Sequence, residues 1–511
     1  MTAYKLSISG IIQTMTRMHH RHSPNASRNI PLVGLLTLLL CPPPAGYGQA
    51  FNLPEMGDPS GNLLSPAEDE RLGQAFMRSV NRSMRVITTP LLTAYVQSLG
   101  DRLVEHSSEP GRSFHFFLVD DPTVNAFAGP GGFIGVNTGL VTTSQSESEL
   151  AAVVAHEIVH VTQNHLLRTF NAVRQVSLPA TALAIAALVL GAATDNMDAG
   201  LGAATAIQAG VAQRQINFTR AHEEEADSLG IQILAAAGFD PQAMATFFER
   251  LGESSRLYDS GQLPEFLRTH PITSNRIAEA RARADQFPYR QRPDSLNYHL
   301  FRATLKVLSF DNAKKAVAFF HDTLTGRRYR NEEGQRYGYV LALIADRQFG
   351  EAKEQLNVLL KKRPDHIAYI VAHALLLKDS KRPKEALKVT RTGLELHPGN
   401  YPLSVFYAQM LLHHGQAKEA LTVLEKQLAG RSQDSTLFKL LAQAAGDTGN
   451  TSLGHQYLAE YYYLSGALEP AIQQLEIALR DRSVSDFRLA KMTARMQDMK
   501  EELAELRKRK S

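Results

Sequence analysis

His156-Glu157-Ile158-Val159-His160 lies within a largely apolar stretch from Leu150 to Val161. Two histidines four residues apart on a helix fall on one face, one turn above the other. Their imidazoles can then converge on a single cation, and zinc is the usual ion for nitrogen ligands so arranged. Glu157 projects beside the same point, where it can take a proton from the water such an ion polarises.

For this chemistry the motif must sit on a helix that can be buried. Leu150, Val153, Val154, Ile158 and Val161 supply apolar residues at helical spacing, and Ser146 or Ser148 is the expected cap. A catalytic ion also needs a third protein ligand and one open position. A second acidic cluster, Ala221-His222-Glu223-Glu224-Glu225-Ala226-Asp227, offers Glu223 as that ligand. Asp227, one turn on, is placed to accept a hydrogen bond from the outer nitrogen of a ligating histidine and fix its tautomer. The metzincin variant is excluded, because the glycine and third histidine it requires are replaced by Gln163 and Leu166. His165 falls off that spacing and is read as a surface residue.

The remainder of the chain bounds the answer. Its 511 residues predict two or three domains, and 44% hydrophobic with 21% charged residues is an ordinary globular composition. A net charge of +4, with no basic block interleaved with aromatics, gives no reason to expect nucleic acid as a partner. Arg17, Arg21 and Arg28 precede the run Leu32–Leu40, and small residues follow at Ala45, Gly46, Gly48 and Ala50. This reads as an export signal over 1–50, cleaved near Gly48 or Ala50, which places the mature chain in the periplasm. The single cysteine, Cys41, lies inside it, so the mature chain relies on no disulfide. A second apolar run, Leu178 to Ala193, is short for a spanning helix and reads as a buried or membrane-touching one.

Ser65-Pro66-Ala67-Glu68 opens the first helix with a capping box. Further on, strands are predicted at Phe114–Val119 and Phe133–Val136, with a turn over Asn125–Gly132 between them. Helices dominate from the metal-binding segment to about 287. Beyond Pro288 and Pro293 the chain acquires a period. Glu351-Ala352, Glu385-Ala386 and Glu419-Ala420 recur every 34 residues, as do Pro364 and Pro398. That is the tetratricopeptide period, and about four units stack into a solenoid with a concave groove. A charged helix with Met492, Met496 and Met499 closes the array, and Arg507 to Lys510 form a solvated tail. The expected fold is mainly α: an α+β metalloprotease domain with a small sheet over 51–290, an all-α solenoid over 297–480 and a capping helix over 481–511.

The HEIVH motif followed by Glu-x-x-x-Asp, with Asn125–Val141 (NAFAGPGGFIGVNTGLV) just upstream, resembles the gluzincin metallopeptidases of the M48 type. The resemblance covers nearly all of the mature chain. It implies one Zn2+ per chain held by His156, His160 and Glu223, with Glu157 as base and Asp227 behind the ligands. Leu263–Pro271 is similar to the family's His-Pro loop, in which a histidine occupies the fourth zinc position and holds the enzyme inactive. His270 is the matching residue, and Arg276 falls where an active-site arginine is expected. Peptide hydrolysis follows, with a substrate strand pairing along an edge formed by Phe133, Ile134, Gly135 and Val136. Combined with the export signal and the repeats, the resemblance implies an endopeptidase with chaperone-like activity. Its partners would be unfolded or misassembled outer-membrane proteins, and the assembly machinery through the repeats. Two rival readings stand beside it: an assembly chaperone whose protease site is largely silent, and a zinc hydrolase of non-peptide substrates.

Overall fold

The computed structural model describes residues 64–170, 220–257, 265–288, 292–481 and 483–507. The export segment with Cys41, the run Leu178–Ala193, the start of the His-Pro loop and the end of the basic tail lie outside the described residues. Among the described residues, no helix is long and apolar enough to cross a membrane.

The catalytic region opens with α1 (Pro66–Ser83), whose Ser65 and Glu68 form the expected reciprocal cap. There follow β1 (Val86–Ile87), α2 (Pro90–Val104), β2 (His115–Val119), β3 (Ala126–Ala128), β4 (Phe133–Asn137) and α3 (Thr138–Thr143). Next come α4 (Glu147–Thr162), α5 (His165–Phe170), α6 (Arg220–Ala236), α7 (Ala243–Leu257), α8 (Glu265–Thr269) and α9 (Ser274–Ala284). The four strands form one sheet in the order β1-β2-β4-β3, with β2 and β4 parallel and the outer pairs antiparallel.

This sheet corrects one expectation. Phe133–Val136 is not an edge: β4 pairs with β2 on one side and β3 on the other, and all five of its residues are buried. An unbroken apolar run is what an interior strand looks like. The edges are β1 and β3, and β3 lies in the segment read as a turn. Asn137 N–H donates to Asn125 O at 3.0 Å and Gly129 N–H to Phe133 O at 2.7 Å. The alternation of a ladder therefore turns the main-chain groups of Ala126 and Ala128 outward.

α4 lies at the centre of the domain. Every residue from Ser148 to Thr162 is buried, among the apolar faces of α2, α6 and α7 and the sheet. A helix covered on all sides must bury its polar residues as well, and that is where the motif sits.

From Leu296 to Ala478 the chain is a run of antiparallel helical hairpins, more units than the 34-residue spacing marks out, because the buried alanines of the outer ones, Ala316 and Ala471, fall out of that register. Ala352, Ala386 and Ala420 are wholly buried where helices approach closely. The final helix, Asp486–Arg507, packs on Leu468–Ala478 and buries Met492 and Met499. Both ends of the solenoid touch the catalytic region. Asp294 Oδ1 accepts from Glu147 N–H at 2.7 Å, and the Glu147 carboxylate accepts from Ser295 N–H and Oγ at 2.8 Å each, tying the first solenoid helix to the start of α4. At the far end, Arg78 of α1 donates to Glu502 at 2.7 Å and stacks 4.3 Å over the Tyr463 ring.

Candidate metal centre

Ser146 is the cap of α4, its Oγ accepting from Glu149 N–H at 3.1 Å. From there the helical repeat brings His156 and His160 to one side, their Nε2 atoms 3.0 Å apart. α6 crosses against this face. The crossing is close at Gly230, where a Cβ would stand 3.4 Å from His156 N and 3.0 Å from the Met244 methyl. Glu223 and Asp227, one turn apart on α6, then face the two imidazoles. α8 delivers His270, whose ring stacks on Phe266 with centroids 4.9 Å apart.

The four groups His156, His160, Glu223 and His270 are all buried and could hold a metal ion together. His156 Nε2 lies 3.3 Å from His270 Nδ1 and 3.5 Å from Glu223 Oε2. His160 Nε2 is 3.5 Å from Glu223 Oε1, and His270 Nδ1 is 3.0 Å from the same oxygen. A tetrahedral ion with bonds of about 2.1 Å has ligand–ligand edges of about 3.4 Å. The observed spacing fits that geometry, and the donor set of three imidazoles and one carboxylate fits a borderline divalent cation.

The electrostatics agree. Burial alone would lower the affinity of His156 for a proton, but hydrogen bonds to Asp227 and Glu223 raise its pKa to about 10. Burial and the neighbouring His156 hold His160 well below its ordinary value. Against the cost of burial, His270 and His156 keep Glu223 ionised to well below the usual carboxylate range. The pocket thus draws positive charge to its centre.

Behind the ligands, Asp227 Oδ1 lies 3.0 Å from His156 Nδ1. Arg276 clamps Asp227 through Nε and Nη2, at 2.8 and 2.9 Å, and reaches Glu223 Oε2 at 2.9 Å. Its Nη1 also donates to Pro271 O at 2.8 Å, fixing the turn that carries His270. Glu157 is fully buried, 3.5 Å from His270 Nε2. Desolvation raises its pKa, offset in part by the histidines and by the Ala128 N–H of the β3 edge.

Sequence reasoning missed one member of this centre. His165 is not a surface residue: it is wholly buried, with Nδ1 2.9 Å from His160 Nδ1. Continued as a straight helix, position 165 would have pointed away from His160. Instead α4 ends at Thr162 and Asn164 adopts φ 51°, which folds His165 back. An asparagine, tolerant of the left-handed region, just before a histidine was the available signal.

Fold and centre together are those of a metalloendopeptidase. A profile of peptidase family M48 matches residues 90–284, and a tetratricopeptide-repeat profile matches residues 377–444. Beta-barrel assembly-enhancing protease of Escherichia coli K12 is 34% identical over 459 residues, 90% of this chain and 93% of the relative. A putative protein of the same name from Vibrio cholerae is 34% identical over 85% of this chain and 89% of its own length. Mitochondrial metalloendopeptidase OMA1 of Schizosaccharomyces pombe is 31% identical over 185 residues, 36% of this chain and 51% of the relative. The chain belongs to peptidase family M48 and, within it, to the β-barrel assembly-enhancing protease family.

Proposed function

We propose that this chain is a periplasmic zinc endopeptidase that cleaves misassembled outer-membrane β-barrel proteins and assists the assembly of others. The observation that carries the reading is the convergence of four buried donors at tetrahedral spacing, with the Glu157 carboxylate and the β3 strand edge beside them. The substrate class and compartment come from what the relatives' name says of those proteins, and from the export-like segment ahead of residue 50.

In this reading His156, His160 and Glu223 hold zinc, and His270 takes the fourth corner. Zinc so held supplies Lewis acidity toward a scissile carbonyl and toward water. Glu157 takes the proton of the attacking water and delivers it to the leaving amine. Its buried setting suits the task, since desolvation moves a carboxyl toward a base that holds protons near neutral pH. Asp227, clamped by Arg276, keeps the His156 ring in one tautomer. A substrate strand pairs with the outward main chain of Ala126 and Ala128, which lies against Glu157. The repeats hold substrate chains or the assembly machinery, and Leu178–Ala193 provides any peripheral contact with the membrane.

His270 must leave its corner before substrate enters, so it acts as a gate that substrate or partner displaces by differential affinity. His270→Ala is therefore expected to raise cleavage of casein or misfolded outer-membrane proteins. Unchanged or lower activity with zinc retained would remove the gate. Glu157→Gln is expected to keep stoichiometric zinc and lose turnover by about 10²–10⁴-fold. Persisting turnover would dismiss Glu157 as the base. A complete donor set with a base in place disfavours the reading of a silent protease site.

A further inference from the structure

The two histidines of α4 are backed differently. Behind His156 stands a carboxylate, Asp227, at 3.0 Å. Behind His160 stands another imidazole, His165, and only behind that a carboxylate: His165 Nε2 is 3.1 Å from Glu225 Oε2. The His222 ring lies parallel to His165, centroids 4.3 Å apart and planes 14° from coplanar, and fixes its plane.

With a cation on His160 Nε2, the protons in this chain can be placed in only one way. His160 turns Nε2 toward the other donors, 3.0 Å from His156 Nε2. An imidazole that gives its Nε2 lone pair to a cation carries its proton on Nδ1. That Nδ1 is 2.9 Å from His165 Nδ1, a gap that holds a single proton, so His165 Nδ1 must be the bare acceptor. A neutral His165 then carries its proton on Nε2, which is the atom that meets Glu225.

We propose that His165, oriented by Glu225, is a positioning residue of the metal centre: it accepts the His160 Nδ1 proton and thereby commits His160 Nε2 to the cation. The proposal rests on the zinc reading above. Glu225 keeps 37% of its side chain exposed, so the relay reaches from the metal cage to the surface of α6. A surface carboxylate is thereby coupled to metal affinity without touching a ligand. Partners of this kind behind metal-bound histidines typically contribute 10–100-fold in affinity.

The test is competition for zinc against a chromophoric chelator at pH 7.5, with the full chain and three variants. His165→Phe keeps a ring against His222 and removes both nitrogens; it is expected to weaken zinc binding 10–100-fold. His165→Asn places Oδ1 where Nδ1 was and restores an acceptor; it is expected within about threefold of wild type. Glu225→Ala removes the acceptor of the His165 Nε2 proton and is expected to weaken binding by about 10-fold, the lower end of that range. Thermal unfolding of the metal-free proteins runs alongside, because a purely structural role would lower Tm in His165→Asn as in His165→Phe and would not separate their zinc affinities. Wild-type affinity in His165→Phe, or equal loss in both histidine variants, overturns the proposal. Should His165→Phe not fold, unchanged affinity in the surface variant Glu225→Ala overturns it instead. A wild-type chain that binds no zinc would overturn the underlying metal reading, a result distinct from all of these.

Discussion

The metal cage and the repeat solenoid are both buried, by opposite means. Around the cage, His156, Glu157, His160, His165, Glu223, Asp227, His270 and Arg276 are all shielded from solvent, and they are held by charge and hydrogen bonds. In the solenoid the buried side chains are mainly apolar, and the landmarks of the repeat are wholly buried alanines at 352, 386 and 420. There the charged groups stay near the rim and meet the tips of buried tyrosines, as where Tyr339 donates to Glu351 and Tyr407 to Glu419, each at 2.5 Å. The cage depends on which partner each group meets; the solenoid depends on volume. The first is specific and intolerant of a missing partner. The second is additive and tolerant of polar change at its surface.

The sharpest way to break this contrast is at Arg276, whose guanidinium bridges the Asp227 and Glu223 carboxylates. Arg276→Met fills similar volume but leaves both buried anions with histidines alone as partners. Removing one member of a buried ionic network costs about 3–5 kcal/mol. Chemical denaturation of the metal-free variant should show that loss. Added zinc should recover part of it, because the cation takes over some of the missing charge. A loss under 1 kcal/mol would mean that the cage is not organised by charge.

The counterpart in the solenoid is a change of volume without a change of charge. Ala420 is wholly buried in the helix Ala417–Leu428. Ala420→Leu forces extra methyl groups into a closed contact, for about 1–3 kcal/mol. Hydrogen exchange should quicken in the repeats around residue 420, while α4 and α6 keep their protection and zinc affinity stays at wild type. Loss of protection throughout the cage would show that the two regions unfold as one.

The same contrast explains what was legible in the sequence. The solenoid was read from its period, since volume rules repeat and a repeated alanine or proline is visible. His156, His160, Glu223 and Asp227 were legible because both pairs keep helical spacing on helices that stayed helical. His270 and Arg276 were found through family resemblance alone, because nothing local at Pro271 announces that the turn comes back to a metal site. His165 was missed where helical periodicity stops, at Asn164. β3 was missed because Ala-Phe-Ala between an asparagine and a glycine-rich turn has no alternation to read, and its absence from the prediction made β4 seem an edge.

The smallest expected effect tests whether charge matters anywhere inside the solenoid. His366 caps the helix Ile367–Asp379, its Nδ1 accepting from Ala368 N–H at 3.1 Å. That lone pair exists only on the neutral ring. Burial, and then Arg363, lower its pKa to about 4; His397 acts the same way, while Asp365 and Glu333 oppose it. As pH falls below about 6.5, the ordinary value for histidine, the unfolded chain takes up a proton that folded His366 refuses. Stability is therefore full above about pH 6.5 and lost progressively down to about pH 4, by about 2 kcal/mol once partial solvent access is allowed for. His366→Asn keeps a capping acceptor and cannot titrate. Amide exchange in residues 367–379, compared at pH 7.5 and pH 4.5, should match between wild type and variant at the higher pH and show the variant better protected at the lower one. Parallel pH dependence in the two proteins would mean that His366 stays solvated, and that charge in this molecule governs burial only in the cage.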